Sequence, residues 1–373
     1  MARLLFVVTE DWYFVSHRLP LALAAKEAGY EVAVATRPGN DVQAIEVAGI
    51  DLVPFEMDRR GMNPLKELGT VFRLARLLRR ESPDLLHLVA LKPVLLGNLA
   101  ARLAGVKQRV SAVAGMGFLF MEGGRGGLLM PLVRRLLGRS LRGGMVIVQN
   151  PDDAALLERL GVPADSLRLI RGSGVDLARF RVEPEPGGTP VVMLPSRMLW
   201  DKGVGEFVEA ARRLKEQGVE ARFVLVGAPD PDNPTAVSEG ELRQWENEGV
   251  VEWWGHQQAM EKVLPQAHLV CLPSYREGLP KVLLETMACG RAVVTCDVPG
   301  CREAVLHEHN GLLVPARDAG ALAHAIGRLL KDVSLRSRFG AAGRERAEQL
   351  FSTERVARET LGVYQELLER ERA

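Results

Sequence analysis

Apolar positions along the chain follow two spacings, short β-branched runs and longer stretches of helical period, and the two alternate from end to end. In the first half, runs at residues 4–9, 31–36, 84–89, 110–113, 145–149 and 167–170 predict strands. Helices are expected over 18–28, 65–80, 94–104, 128–139 and 152–160. Residues 182–190 (VEPEPGGTP) interrupt the rhythm with three prolines and two glycines and read as a linker. The alternation then restarts, with strands at 191–194, 221–226, 251–254, 269–272, 293–296 and 312–314. Helical stretches follow at 205–217, 281–288, 319–330, 333–350 and 353–372. Strands separated by helix-length segments make βα units and parallel sheets. The expected class is α/β, with two Rossmann-like, doubly wound domains, 1–181 and 190–352, facing each other across a cleft. Ligands of such sheets bind beyond the carboxyl ends of the strands, so chemistry belongs in the loops that follow strands.

A length of 373 residues suits two domains. With 47% hydrophobic and 25% charged residues, extended disorder is excluded. Aromatics at 5% argue against a base-stacking platform, and no nucleic-acid partner is expected. The net charge of +1 hides an asymmetry, because residues 1–180 carry a net of +6 and the remainder −5. Residues 59–142 alone hold 16 basic and 4 acidic side chains. That stretch is either a solvated arginine-rich surface or an attraction to an anionic membrane surface. No run approaches the ~20 apolar residues of a membrane span, and the first nine residues show no signal-peptide pattern. Cys271, Cys289, Cys296 and Cys301 form no CxxC pair and read as buried thiols in a reducing compartment. A cytoplasmic protein is expected.

Residues 275–285 (YREGLPKVLLE) place Glu277 in the loop after strand 269–272 and Glu285 within the next helix. Pro280 suits that helix's first turn, and Gly290 its stop. Backbone N–H groups near Gly278, Leu279 and Pro280, with the helix dipole behind them, make a phosphate site. A carboxylate on the same helix can accept hydrogen bonds from vicinal ribose hydroxyls. After strand 191–194, Arg197 and Lys202 can neutralise a diphosphate, one as a planar fork and the other as a mobile point charge.

The paired R-x4-K-G and E-G-L-P-x4-E segments, with GSGVD at 172–176, resemble the retaining glycosyltransferases of family 4, over essentially the whole chain. The resemblance implies the GT-B arrangement, with C-terminal helices crossing back so that 353–373 completes the first domain. Residues 11–20 (DWYFVSHRLP) and 227–234 (GAPDPDNP) are similar to the branch that extends lipid-diphosphate-linked sugars. A nucleotide-sugar donor is implied, a UDP-sugar by preference and an N-acetylhexosamine as its sugar. The implied acceptor is a polyprenyl-diphosphate-linked saccharide, met by a peripheral protein on the inner face of the cell membrane. By the same resemblance Arg197 and Lys202 hold the donor diphosphate, Glu285 the ribose, and Glu277 sits by the transferred sugar. The backbone of Gly278, Leu279 and Pro280 touches sugar and phosphate. Many members carry a Gly-Gly loop after the first strand; here residues 10–16 form a bulky, aromatic loop instead. A transferase with a soluble acceptor, a non-hydrolysing UDP-sugar epimerase and a sugar-nucleotide-binding protein without turnover are the alternatives.

Asp230-Pro231-Asp232 mimics a metal-binding DxD, but Arg197, Lys202 and a helix N-terminus already supply positive charge. It reads as a loop turn, and no metal or other cofactor is expected. His17, at the start of the first helix, either meets the acceptor or serves the helix structurally. His87 reads as a core or edge histidine, and Lys92 as a ligand of an acceptor phosphate. Gly115 and Gly117 permit close backbone approach of the acceptor. His256 either neighbours the nucleobase or is simply exposed. Residues 125–142 combine Leu128, Leu129, Leu132, Val133, Leu136 and Leu137 with Arg134, Arg135 and Arg139. They make an interfacial membrane helix or an amphipathic helix on its own sheet, and the surrounding arginines favour the membrane.

Overall fold

The computed structural model describes residues 1–58, 63–113, 115, 130–231 and 233–372, and the chain divides into two compact units. Met1–Gly174 with Thr353–Ala373 form the first, and Val175–Ser352 the second.

The first unit is built on a parallel sheet of β1 (Arg3–Glu10), β2 (Glu31–Arg37), β3 (Asp51–Pro54), β4 (Leu85–Val89), β5 (Arg109–Val113), β6 (Met145–Val148) and β7 (Leu167–Leu169). Their order is β3-β2-β1-β4-β5-β6-β7, so the chain reverses direction across the sheet between β1 and β4. Every residue of β4 and β5 is buried, the pattern of strands covered on both faces. One face packs under helices Leu19–Glu27 and Thr353–Arg372, where the wholly buried Tyr364 hydroxyl meets Nδ1 of His87. His87 also stacks on Phe6 with ring centroids 5.0 Å apart, and is a core histidine.

The second unit holds β8 (Val191–Pro195), β9 (Arg222–Val226), β10 (Glu252–Trp253), β11 (Leu269–Leu272), β12 (Ala292–Cys296) and β13 (Gly311–Val314). Their order, β10-β9-β8-β11-β12-β13, reverses between β8 and β11. The sequence pattern misses β3, a four-residue edge strand closed by a proline. It also misses helix Glu239–Asn247, although Ser238 and Glu241 form a reciprocal capping box there.

Residues 182–190 are not a linker. The division falls at Gly174–Val175, and the proline-rich stretch is bonded to the second unit. Arg291, 2% exposed, donates to the carbonyls of Glu183 (2.7 Å), Pro184 (3.0 Å) and Pro265 (2.8 Å). Glu185 receives both arms of Arg336, at 3.0 and 2.9 Å. Prolines withhold N–H donors but leave carbonyls, and a buried guanidinium satisfies those carbonyls.

Candidate functional site

Loops from the carboxyl ends of β8, β11 and β12 converge at the reversal point of the second sheet. After β8 the chain makes a single 3-10 turn, Trp200–Lys202, and enters helix Val204–Glu216 through Gly203 at φ +73°. A Cβ on Gly203 would lie 2.2 Å from the Pro273 carbonyl oxygen, so the β8 and β11 loops touch backbone to backbone. The Tyr275 amide donates to the Asp201 carbonyl at 3.0 Å across the same seam. On the other side, the Glu277 amide donates to Pro299 O at 3.2 Å. Gly300, at φ +82°, would place a Cβ 2.5 Å from Gly278 O.

This clasp brings Lys202 Nζ to 2.5 Å from Glu277 Oε1, with the two side chains 19% and 12% exposed. Arg197 Nη1 lies 2.7 Å from Asp230 Oδ2 on the β9 loop, and the arginine is 44% exposed. The segment read as a turn thus supplies a counter-ion; Asp232 lies outside the described residues. Helix Lys281–Ala288 starts with Pro280 as its N-cap rather than within its first turn, and no side chain caps it. The Leu279 side chain is buried in the core, which leaves only its backbone for a ligand contact of the kind expected from the sequence. Glu285 is 7% exposed, 3.3 Å from Lys281 Nζ. Burial pushes its carboxyl above the usual range, and the nearby Lys281 and Arg179 only partly oppose this.

The sequence reading misses how the loop is held. The Tyr275 hydroxyl donates to Glu206 Oε1 at 2.7 Å, and the Arg317 guanidinium stands 4.5 Å over its ring. Burial, then Glu206, raises the phenol. The four cysteines are buried, and burial pushes the Cys289 and Cys296 thiols up to about 12. His256 is exposed after β10.

In the first unit, residues 11–17 are a helix, Asp11–His17, and not a loop; His17 closes it instead of opening the next one. Asp11, 2% exposed, accepts from the amides of Gly39 (2.6 Å) and Asp41 (3.0 Å), tying the start of the helix to the β2 loop. Tyr13 and His17, one turn apart, stack at 4.2 Å and 8°. Ser16 Oγ lies 2.6 Å from His17 Nδ1. Lys92 does follow β4, but its Nζ is 2.6 Å from Glu67 Oε1, so a phosphate there would compete with a carboxylate. Gly115 has φ +76°, and Gly117 lies outside the described residues.

Residues 3–149 match the family described as glycosyl transferase 4-like, and residues 189–332 match glycosyl transferases group 1. Over 86% of its length the chain is 31% identical to 87% of the N,N'-diacetylbacillosaminyl-diphospho-undecaprenol alpha-1,3-N-acetylgalactosaminyltransferase of Campylobacter jejuni. The chain belongs to this glycosyltransferase family. The transferase is also 26% identical to a putative glycosyltransferase, EpsD, of Bacillus subtilis, across 97% of this chain and 96% of that one. Sucrose-phosphate synthase from Thermosynechococcus elongatus shares its fold, with TM-score 0.83 at 22% identity, covering 99% of this chain and all of that one. HepE of Anabaena, solved with UDP-glucose, superposes at TM-score 0.78 with 19% identity over 98% of this chain and 100% of that one. Two Rossmann-like domains of the GT-B class are thereby established.

The transferase's helix Met130–Leu141 exposes Arg135 and Arg139 and half-buries Arg134. Its Leu137 and Leu141 are buried in the first unit's own core, so Leu137 is not available to a bilayer; Leu136 is 44% exposed. Leu128 and Leu129 lie outside the described residues. The more exposed apolar face is one the sequence reading passed over. On helix Pro64–Glu81, Leu65, Leu68 and Phe72 are 80%, 52% and 58% exposed, at the i, i+3, i+7 spacing of one face. Arg76 and Arg79 continue that face and are exposed. Among the described residues, no helix is long and apolar enough to cross a membrane.

Proposed function

We propose that this glycosyltransferase moves an N-acetylhexosamine from a UDP-sugar to a polyprenyl-diphosphate-linked saccharide, with retention at the anomeric carbon and without a metal. The observation that carries the reading is the likeness to the Campylobacter transferase along most of both chains. The second unit's site supports it chemically. Lys202 donates one of its three N–H groups to Glu277 and keeps two for a diphosphate, while the planar Arg197 fork, with one N–H on Asp230, keeps four of its five. Charge grows on the diphosphate as it departs, so cations and a helix N-terminus aimed there stabilise the transition state more than the ground state.

Glu285 accepts from the ribose hydroxyls, a role that needs its carboxylate form. Glu277, held by Lys202, orients the transferred sugar; a carboxylate already bound to an ammonium is a poor nucleophile. Retention then comes from same-face attack. The acceptor hydroxyl oxygen bonds to the anomeric carbon, the bond to the β-phosphate oxygen breaks, and that oxygen takes the hydroxyl proton. The first unit receives the acceptor, with His17 and Gly115 beside it. The basic stretch of the same unit, with Arg134, Arg135 and Arg139 and the Leu65–Leu68–Phe72 face, holds the enzyme to an anionic bilayer.

The test is turnover of a UDP-sugar panel with lipid-linked and water-soluble acceptors, followed by anomeric assignment of the product by NMR. Transfer to the lipid-linked acceptor with retained configuration is expected. Transfer only to a soluble acceptor, donor binding without turnover, or an inverted product would each overturn the reading.

A further inference from the structure

Arg18 separates helices Asp11–His17 and Leu19–Glu27, eight residues after the last residue of β1, and its guanidinium lies near Tyr364 and His87 of β4. It is 5% exposed, yet among the described residues its side chain makes no hydrogen bond and no ion pair. Its Nε is enclosed without a partner, and among the described residues the titratable groups that act on it are Tyr13, Tyr364 and His87, none of them a carboxylate. Burial pushes the guanidinium down, and the same cation helps hold His87 neutral. Two more enclosed polar atoms on this face of the sheet lack partners, Nε2 of His87 and Oγ1 of Thr36.

Other buried arginines of the described residues have polar partners: Arg291, although its Nε is enclosed too, donates through its Nη atoms to three carbonyls, and Arg336 is paired with Glu185. An ion taken out of water without a counter-ion is costly, and folding alone gives no reason to keep one. The position is also special. β1 and β4 flank the reversal of strand order in the first sheet, where ligands of doubly wound sheets bind. Helix Leu19–Glu27 begins at Arg18 with no side-chain cap, so its positive end adds to the same field.

We propose that Arg18 is an anion-binding residue whose missing counter-ion is a phosphate group of the acceptor. The ligand's identity rests on the lipid-diphosphate reading above; the anion site itself does not.

Two arms separate these. In the first, inorganic pyrophosphate is added to the protein with its donor site saturated by UDP. Thermal stability should rise, and amide exchange over residues 11–24 should slow. Arg18→Met should melt higher than the parent without pyrophosphate, because an uncompensated charge is gone, and should lose the pyrophosphate response. Arg18→Lys should keep part of it. In the second, KM for a short-chain prenyl-diphosphate sugar should rise tenfold or more in Arg18→Met, with KM for the UDP-sugar unchanged. A lowered melting point in Arg18→Met with unchanged acceptor KM assigns the residue to structure and overturns the site, as does pyrophosphate that leaves exchange over 11–24 unaltered. A pyrophosphate response that depends on Arg18, with turnover only on acceptors lacking phosphate, keeps the anion site and removes the lipid-diphosphate acceptor.

Discussion

Lys202, from the loop after β8, and Glu277, from the loop after β11, meet at 2.5 Å with both side chains largely out of water. Seventy-five residues apart in sequence, they are adjacent because Gly203 lets its loop lie against the Pro273 carbonyl. The pair couples the cation that would face the diphosphate to the carboxylate that would face the sugar, so neither can be removed without disturbing the other.

Arg197→Ala and Lys202→Ala are each expected to lower kcat by about two decades or more, the scale of losing a charge-assisted transition-state contact. They differ in stability. Arg197 is 44% exposed, so its loss should leave the melting point nearly unchanged, whereas Lys202→Ala strands a mostly buried Glu277 and should lower it. Calorimetry alongside steady-state kinetics separates the two effects, and unchanged kcat in both variants would sink the donor-site assignment.

The two glutamates should respond differently to substitution and to pH. Glu277→Gln mainly lowers kcat; Glu285→Gln mainly raises donor KM, since ribose bonds are made equally in ground and transition states. Glu285's folded-state carboxyl is raised, so the folded protein binds this proton more tightly than the unfolded chain does. Its contribution to stability is therefore greatest in acid and falls as pH climbs through the window above the ordinary value of 4.5. Donor binding moves the other way, with KM rising as pH falls into that window and the carboxylate is protonated. Glu285→Gln should flatten this acid limb. A limb of equal size in that variant assigns the titration to another group.

Arg291→Met should destabilise the second unit by about 3 kcal/mol, because three carbonyls lose their donor at once. Denaturant midpoints monitored by tryptophan fluorescence read this out. A change within ~0.5 kcal/mol would mean that residues 182–190 behave as a free linker after all.

Replacing Arg134, Arg135 and Arg139 with Glu should release the protein from anionic vesicles. Leu68→Ser with Phe72→Ser should do the same, removing roughly 1.5–3 kcal/mol of burial per large side chain. Both sets should spare turnover of a soluble acceptor analogue. Co-sedimentation at low salt, repeated near 1 M where the screening length is ~3 Å, is the measurement. Equal sedimentation of parent and variants returns these residues to a solvated surface.

Much of the architecture is legible in the sequence, because buried parallel strands such as Val191–Pro195 are continuous apolar runs that few other structures would carry. The residues assigned to the donor by the sequence are placed for a related reason: Pro280, Gly290 and the glutamate spacing put them on a strand–loop–helix unit. What stayed hidden depends on partners distant in the chain. Asp230 becomes Arg197's counter-ion only once β9 lies beside β8. Residues 182–190 look unstructured until Arg291, about 100 residues later, reaches their carbonyls. Helix Asp11–His17 was obscured by its aromatic composition, and the stack of Tyr13 on His17 that supports it is visible only in three dimensions.

The first unit closes with residues that follow the whole of the second: Tyr364 reaches back 277 positions to His87. During synthesis the second unit is therefore complete before the first receives the helix that shares with Leu19–Glu27 the covering of one face of its sheet. Until then Tyr364, Val363, Val356 and Leu367 are missing from that cluster, and His87 lacks its hydroxyl partner. The first unit of this enzyme can therefore reach its final packing only after residues 175–352 have been made.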